Sequence, residues 1–376
     1  MIKKLFKALT GAAIFAACAL VIMSVLNRAT EEKEFPVGSY TDYYYITLDE
    51  EQKQAYTAVR EEILSFPTRI ETPVLDKEQL EEVLNAIIYD NPMLFMFNTC
   101  SLEIRGNRAF FKPEYTLGEE EYIAQAERIN TIVDSLQDGL PEDEFEAELY
   151  LHDYIVNTCT YSDTEDEAEN TVAGVLLNSS AKCSGYAKAL KLLLNSAGIE
   201  SVLIRGTATD YDGNSQSHMW NAVKIKGSWC YTDATWDDPV SDNGDIVCRH
   251  TFFNMTEEML CRTHSEFEFG YECNNPSLYY YIIYGAYFDY VDSGLTAALA
   301  DRIIQAANTG ENSTELMFSS TDIMNKAKVF LIDQNKVYRA LETAKLKSSI
   351  PFDTTSVRYS TDSNANILTI YFYTKD

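Results

Sequence analysis

Apolar residues recur at helical spacing over 48–66, where Tyr56, Val59, Ile63 and Leu64 share one face. A second helix is predicted over about 78–89. Three short apolar runs follow at 93–97, 102–104 and 109–111, the last two parted by Arg105-Gly106-Asn107. They read as strands of a small α+β unit. A third helix covers about 119–136 and is broken by Gly139-Leu140-Pro141. Beyond it Phe145, Leu149, His152 and Val156 mark one face of a helix ending near Thr158, and an acidic loop fills 162–170. Ala187, Leu190, Leu194 and Ala197 repeat with helical period after Cys183, and Gly198 stands where a glycine ends a helix. Residues 218–225 and 229–233 alternate like strands around Lys226-Gly227, a two-residue turn candidate. Past Asn275, runs such as 278–284 alternate with helices near 295–307 and 321–345. The chain closes on a hairpin of 356–360 with 367–373. No internal repeat is present. The pattern predicts an α+β protein with divisions at 1–30, 31–141, 142–275 and 276–376.

The first thirty residues are predicted to be a targeting device. Lys3, Lys4 and Lys7 precede an uncharged stretch from Ala8 to Asn27, close to the roughly 20 residues a membrane-spanning helix needs. Positive charge before it and Glu31, Glu32 and Glu34 after it put the rest of the chain outside the cell. A cleavable signal has a shorter apolar run and a small-x-small site. Here the one Ala-x-Ala triplet, Ala17-Cys18-Ala19, lies mid-run. An uncleaved N-terminal anchor is therefore expected, with secretion after signal cleavage as the competing reading.

Charge excludes one class of partner. The 376 residues hold 30 Lys and Arg against 58 Asp and Glu. Four of the basic residues and none of the acids lie before residue 31, leaving 26 against 58, or −32, for the exported part. Such a chain lacks the basic footprint that nucleic acid requires, so no nucleic-acid partner is expected. The membrane is expected to be touched through the N-terminal segment alone. Eight cysteines are too few for a disulfide scaffold, and no CxxC pair suggests zinc.

The candidate chemistry lies between 183 and 238. Cys183 opens its helix, where unpaired N–H groups favour negative charge and could hold a developing oxyanion. A two-residue turn at Lys226-Gly227 would pair 225 with 228 and, by continuation, Trp220 with Asp233. His218 and Trp220 then share a face. Asp233 lies diagonal to His218 at a Cα distance of roughly 7–8 Å, which side chains bridge. A three-residue turn would instead set Asn221 opposite Asp233 and turn the acid to the other face. In the first register, Cys183 is a nucleophile, His218 its base and Asp233 the acid that orients the base.

The segments Cys183-Ser184-Gly185-Tyr186-Ala187, His218-Met219-Trp220-Asn221 and Asp233-Ala234-Thr235-Trp236-Asp237-Asp238-Pro239 resemble the transglutaminase-like superfamily in its bacterial, extracellular form. His152-Asp153-Tyr154-Ile155 with Tyr161, and Phe252-Phe253-Asn254-Met255, add to the resemblance, which covers about 142–275. It implies a papain-like α+β catalytic core, a helix bearing the nucleophile packed on an antiparallel sheet, flanked by two smaller α+β segments. It also implies a thioester acyl-enzyme formed from an amide or peptide carbonyl by Cys183, His218 and Asp233. The substrate would be protein or cell-wall peptide.

Around these residues the sequence offers blander roles. Tyr186, Trp220 and Trp236 are expected in the core or the substrate-pocket wall. Cys230 alternates away from Asp233 and reads as a packed thiol, and His152 as a satisfied core histidine. His250 and His264 show no ligand spacing. Cys248, Cys261 and Cys273 could share a disulfide. The tyrosines at 43–45 and 279–281 are expected to pack between segments. Asp238, Asp242, Asn243 and Asp245 around Gly244 faintly resemble a calcium loop, and some animal relatives use calcium. Their spacing misses the EF-hand pattern, so a solvated acidic loop and no cofactor are expected. Three functions follow: a cysteine peptidase or amidase, a cross-linking acyltransferase on the same triad, or an inactive surface-binding module. The first is the leading expectation. Oligomeric state is not indicated.

Overall fold

The computed structural model describes residues 42–162, 164–238 and 248–375. The expected membrane segment at 1–30 lies outside these, as do Asp242, Asn243, Gly244 and Asp245 of the calcium-like loop. Among the described residues no helix is long and apolar enough to cross a membrane.

The N-terminal part is built from the helices Glu50–Glu62 and Lys77–Asp90 and a three-stranded antiparallel sheet, with Arg108–Tyr115 between Ile70–Thr72 and Phe97–Arg105. Asp49 with Gln52, and Asp76 with Gln79, close reciprocal caps that satisfy the first N–H groups of these helices. Met93–Phe97 is not a strand. Only Phe97 joins the sheet, while Met93 to Met96 form a buried turn in which the Leu94 N–H donates to the Asn91 carbonyl at 2.9 Å. That apolar run reflects burial on all sides, which periodicity does not separate from strand pairing.

The central part combines helices Glu144–Thr158, Val172–Asn178 and Cys183–Ser196 with a four-stranded antiparallel sheet. Its order runs Ser228–Thr232, Ser215–Ile225, Ser201–Thr209, His264–Ser265. The Cys183 helix ends at Gly198 (φ +78), where Ile199 N–H reaches the Leu194 carbonyl and Gly198 N–H that of Asn195. Those two bonds are the Schellman pattern. Val223, Ile225 and Cys230 pack under this helix, while Val202, Ile204, Trp220 and Tyr231 enter a second cluster on the opposite face. Both faces are thus buried, and Met317 and Ile367 of the C-terminal part complete the second cluster.

That C-terminal part is a mixed sheet of Tyr287–Phe288, Ser313–Phe318, Ile367–Tyr371 and Arg358–Asp362, covered by the helices Gly294–Asn308, Thr321–Lys328 and Lys336–Lys347. The single helix expected over 321–345 is two. A π turn at Val329–Asp333 and a left-handed Asn335 (φ +57) separate them. Fold class is α+β, as expected. The boundary placed at 141 does not coincide with a break in packing, because Ile129, Val133 and Leu136 share one buried cluster with Leu151, Leu190 and Leu194.

Gly185, in the first turn of the Cys183 helix, sits tightly against its surroundings. A Cβ there would run into the Glu169 carbonyl and meet the Ala181 methyl at 2.9 Å. Gly185→Ala is expected to destabilise the protein by about 1–3 kcal/mol, as other overpacked sites do. Gly270→Ala, whose new methyl would meet only Tyr43 Oη at 3.6 Å, should leave the melting temperature nearly unchanged. Thermal unfolding of the two variants checks this.

Candidate active site

Cys183 is the first residue of its helix. Lys182 before it is extended and offers no side-chain cap, and no acid occupies the first turn. The positive end of the helix dipole therefore lies at the half-buried thiol with no carboxylate in that turn to oppose it. Ser184 Oγ donates to Asn170 Oδ1 at 2.8 Å and Lys188 Nζ to the Asn170 carbonyl at 2.8 Å, which fixes the helix start against the preceding loop.

Lys226 (φ +50) and Gly227 (φ +82) form the two-residue turn of the adjoining hairpin. Both central residues are left-handed, as a type I′ turn requires. Ile225 faces Ser228 and Asn221 faces Thr232, so the two-residue register is the observed one and Trp220 stands across from Asp233 by continuation. Asn221, which the other register would have set against the acid, instead donates to the Ala187 carbonyl at 3.0 Å and ties the sheet to the Cys183 helix.

Asp233 follows the last strand residue, and its carboxylate is almost wholly enclosed. Oδ2 lies 2.7 Å from His218 Nε2 and 3.1 Å from His264 Nε2, while Oδ1 accepts the N–H groups of Thr235 at 3.0 Å and Trp236 at 3.3 Å. Burial alone would raise this carboxyl. The two imidazoles more than offset it and hold Asp233 well below the usual carboxylate range. For His218, burial opposes the charge, but Asp233 and then the nearby Cys183 thiol outweigh it, and the imidazole is pushed up to about 10. Nδ1 of His218 makes no well-formed hydrogen bond, so the ring is anchored through Nε2 and keeps its other nitrogen for the reacting groups.

Behind this pair, Glu148 of the helix Glu144–Thr158 accepts from Thr232 Oγ1 at 3.0 Å and Asn254 Nδ2 at 2.6 Å. Burial pushes its carboxyl up to about 7 despite those donors. The segment carrying Asp233 is thus tied at one end to a helix. At the other, the Asp237 N–H donates to the Asp233 carbonyl at 3.2 Å.

The structure brings His218 and Asp233 into contact with each other and Cys183 close to His218. It does not place Tyr186 or Trp220 on a pocket wall. Both are fully buried, Tyr186 with its hydroxyl on Asp238 at 2.5 Å and Trp220 stacked beside His218, so they support the site from within. Trp236 keeps partial exposure, 6.0 Å from the His218 ring. Cys230 is the buried thiol expected, against Asn254 Oδ1. Cys248, Cys261 and Cys273 are separate thiols.

Sequence reasoning missed His264. It enters through a two-residue strand paired to Thr207 and Ala208, too short to leave a periodic signal, and its contact with Asp233 in the folded chain reveals its role. The four histidines of the chain divide between two groups of potential metal ligands, His218 with Asp233 and His264, and His152 with Asp153, Cys248 and His250. In the first, the carboxylate also accepts two backbone N–H groups and His218 faces the Cys183 thiol, which makes it a proton-handling network. His152, expected as a satisfied core histidine, belongs to the second.

Residues 131–234 match the family model described as the transglutaminase-like superfamily. The chain carries a transglutaminase-like core. No curated protein matches it. Among solved structures, a TGase crystal structure is 15% identical over 56% of this chain and 57% of its own, with a TM-score of 0.28. A Cytophaga hutchinsonii protein proposed to be a cysteine protease is 13% identical over 40% of this chain and 65% of its own, at 0.24. The periplasmic domain of TgpA from Pseudomonas aeruginosa, bound to ethylmercury, is 14% identical over 35% and 56%, at 0.23. The chain spans little more than half the length of the first of these. The matched residues of the transglutaminase-like core begin at 131, inside the helix Glu119–Gln137, and end one residue after Asp233.

The Asp233–His218 pair sets a pH window. Its stabilisation is complete between the unfolded-state values of the two groups, about 3.9 and 6.5. It is lost on the alkaline side as pH rises through about 10, where folded His218 discharges. Asp233→Asn removes the main raising influence and leaves burial opposed by Cys183 alone, so the His218 imidazole should titrate well below 10 in imidazole NMR. The stability gap between the parent and this variant should narrow from pH 6.5 to 10. A His218 that titrates unchanged in Asp233→Asn would show that the carboxylate does not govern it.

Proposed function

We propose that this protein is a cysteine-dependent acyl-transfer enzyme working chiefly as a peptidase or amidase, held outside the cell by its N-terminal segment. The observation that carries the reading is the buried His218–Asp233 pair, 2.7 Å apart, beside a half-buried cysteine that opens a helix. Three chemically distinct groups of a nucleophile, base and orienter set come from a helix and an adjoining hairpin.

In this reading Cys183 Sγ attacks the amide carbonyl carbon while its proton resides on His218. A C–S bond forms, the carbonyl π electrons move to oxygen, and the helix-start N–H of Cys183 stabilises the oxyanion. Collapse breaks the C–N bond, and His218 gives its proton to the leaving amine. The thioester then passes to water, with His218 taking the water proton and thiol and acid released. Asp233 keeps Nε2 occupied and the ring in one orientation throughout. An amine in place of water would give transamidation from the same thioester.

Two linked measurements test this. Iodoacetamide should label Cys183 faster than the exposed Cys261 at mildly acidic pH, and His218→Ala should abolish that difference. With denatured casein as probe, Cys183→Ala should lose hydrolysis by about 10³-fold or more. A fluorescent primary amine added to the same mixture should be incorporated far less often than peptide bonds are cut. Unselective alkylation with no hydrolysis would favour a binding module, and dominant amine incorporation a cross-linking enzyme.

A further inference from the structure

The second histidine cluster takes no part in the chemistry above. His152 Nδ1 and His250 Nε2 lie 2.9 and 2.8 Å from Asp153 Oδ1, Cys248 Sγ is 3.4 Å from the same oxygen, and Sγ is 3.8 Å from His250 Nε2. All four potential ligand atoms lie within 4.8 Å of one another. A tetrahedron with ordinary zinc–nitrogen, zinc–oxygen and zinc–sulfur bonds has edges of roughly 3.2–3.7 Å. The observed separations bracket those edges, and opening the two shortest by about half an ångström would admit the ion. His250 is stacked on Tyr280 with ring centres 4.0 Å apart, which fixes the plane of one ligand in advance.

A second observation points the same way. His152 Nε2 and Asp237 Oδ2 are completely buried, lie 3.3 Å apart, and neither completes a well-formed hydrogen bond. Once Nδ1 is given to a metal, Nε2 of a neutral imidazole must carry the proton and donate it. Asp237 is then the buried carboxylate that receives it, the arrangement that orients metal-bound histidines elsewhere. Asp153 and His250 keep partial exposure, which leaves a path for entry.

We propose that His152, Asp153, Cys248 and His250 form a zinc site, with Asp237 behind His152. The ligating forms are neutral imidazoles, carboxylate and thiolate, so any protons held by the rings and the thiol leave to solvent as the ion enters. The site would staple the helix Glu144–Thr158 to the segment entering Phe252. Asp237 also accepts the Phe252 N–H at 2.9 Å and donates its own N–H to Asp233, so the ion would brace the turn that holds Asp233. This assignment stands apart from the reading of Cys183 as a nucleophile.

The test is cobalt and zinc titration of the full chain after chelator treatment. One cobalt per chain should bind with a thiolate-to-cobalt charge-transfer band, and zinc should displace it. Cys183→Ala should keep the band. Cys248→Ser should lose it, and Asp237→Asn should keep it with affinity reduced about 10–100-fold. Should Cys248→Ser fail to fold, His250→Gln is expected to lower cobalt affinity at least tenfold while leaving Cys183 alkylation intact. The proposal is overturned if the full chain gives no charge-transfer band. It is equally overturned if Cys183→Ala removes the band and Cys248→Ser retains it, which would put the metal at the other cluster.

Discussion

The arrangement depends on one buried charge. An ionised carboxylate almost fully enclosed is tolerated only when paired and saturated with hydrogen bonds. Asp233 meets that demand with two imidazoles and two backbone N–H groups. Each partner is itself held. His218 lies opposite Gly206 in the sheet, His264 reaches Thr263 Oγ1 through its other nitrogen, and the turn of Thr235 and Trp236 is closed by Asp237. Gly206 matters because a side chain there would collide with the Ser265 carbonyl and the Trp220 ring. The close approach that brings His264 beside His218 therefore requires a glycine.

The same logic recurs about the helix Glu144–Thr158. Its Glu148 faces Thr232 and Asn254, and its Asp153 gathers His152, His250 and Cys248. One helix thus presents carboxylates to both ends of the segment that begins before Asp233 and ends past Phe252. Removing either partner of such a group leaves the other buried and unsatisfied, which is more damaging than never having placed it there. The polar groups around the site therefore act as a connected network whose members constrain one another.

How much of this was legible follows from range. The hairpin register could be narrowed to two because a short turn with a glycine allows few pairings, and pairing decides which face each side chain takes. The position of Cys183 could be read because a helix announces its ends locally, through the apolar repeat after it and Gly198 beyond. His264 could not, since its place is set by two pairs with the strand Ser201–Thr209, more than fifty residues earlier. His250 meets His152 across nearly a hundred residues, and no spacing rule reaches that far. The break at Asn335 escaped for a different reason. Apolar periodicity continues on both sides of it, and a left-handed asparagine has no signature in that pattern.

The packing also explains why the Cys183 helix cannot be considered apart from the N-terminal part of the chain. Lys191 lies on that helix, fully buried, with Nζ donating to the Ser201 carbonyl at 2.7 Å. Burial draws its pKa down, and Asp90 pulls the other way. Asp90, itself pushed up by burial, accepts the N–H groups of Tyr44 and Tyr45. Tyr89 packs on Ala187, Leu203 and Met219, and Tyr44 donates to the Leu203 carbonyl. Detaching the N-terminal helices would remove the Asp90 charge that favours protonated Lys191 and open the apolar face beneath the helix that carries Cys183. A domain boundary drawn from the onset of a motif therefore separates residues that share one core, and the helix has supports outside the matched family segment as well as within it.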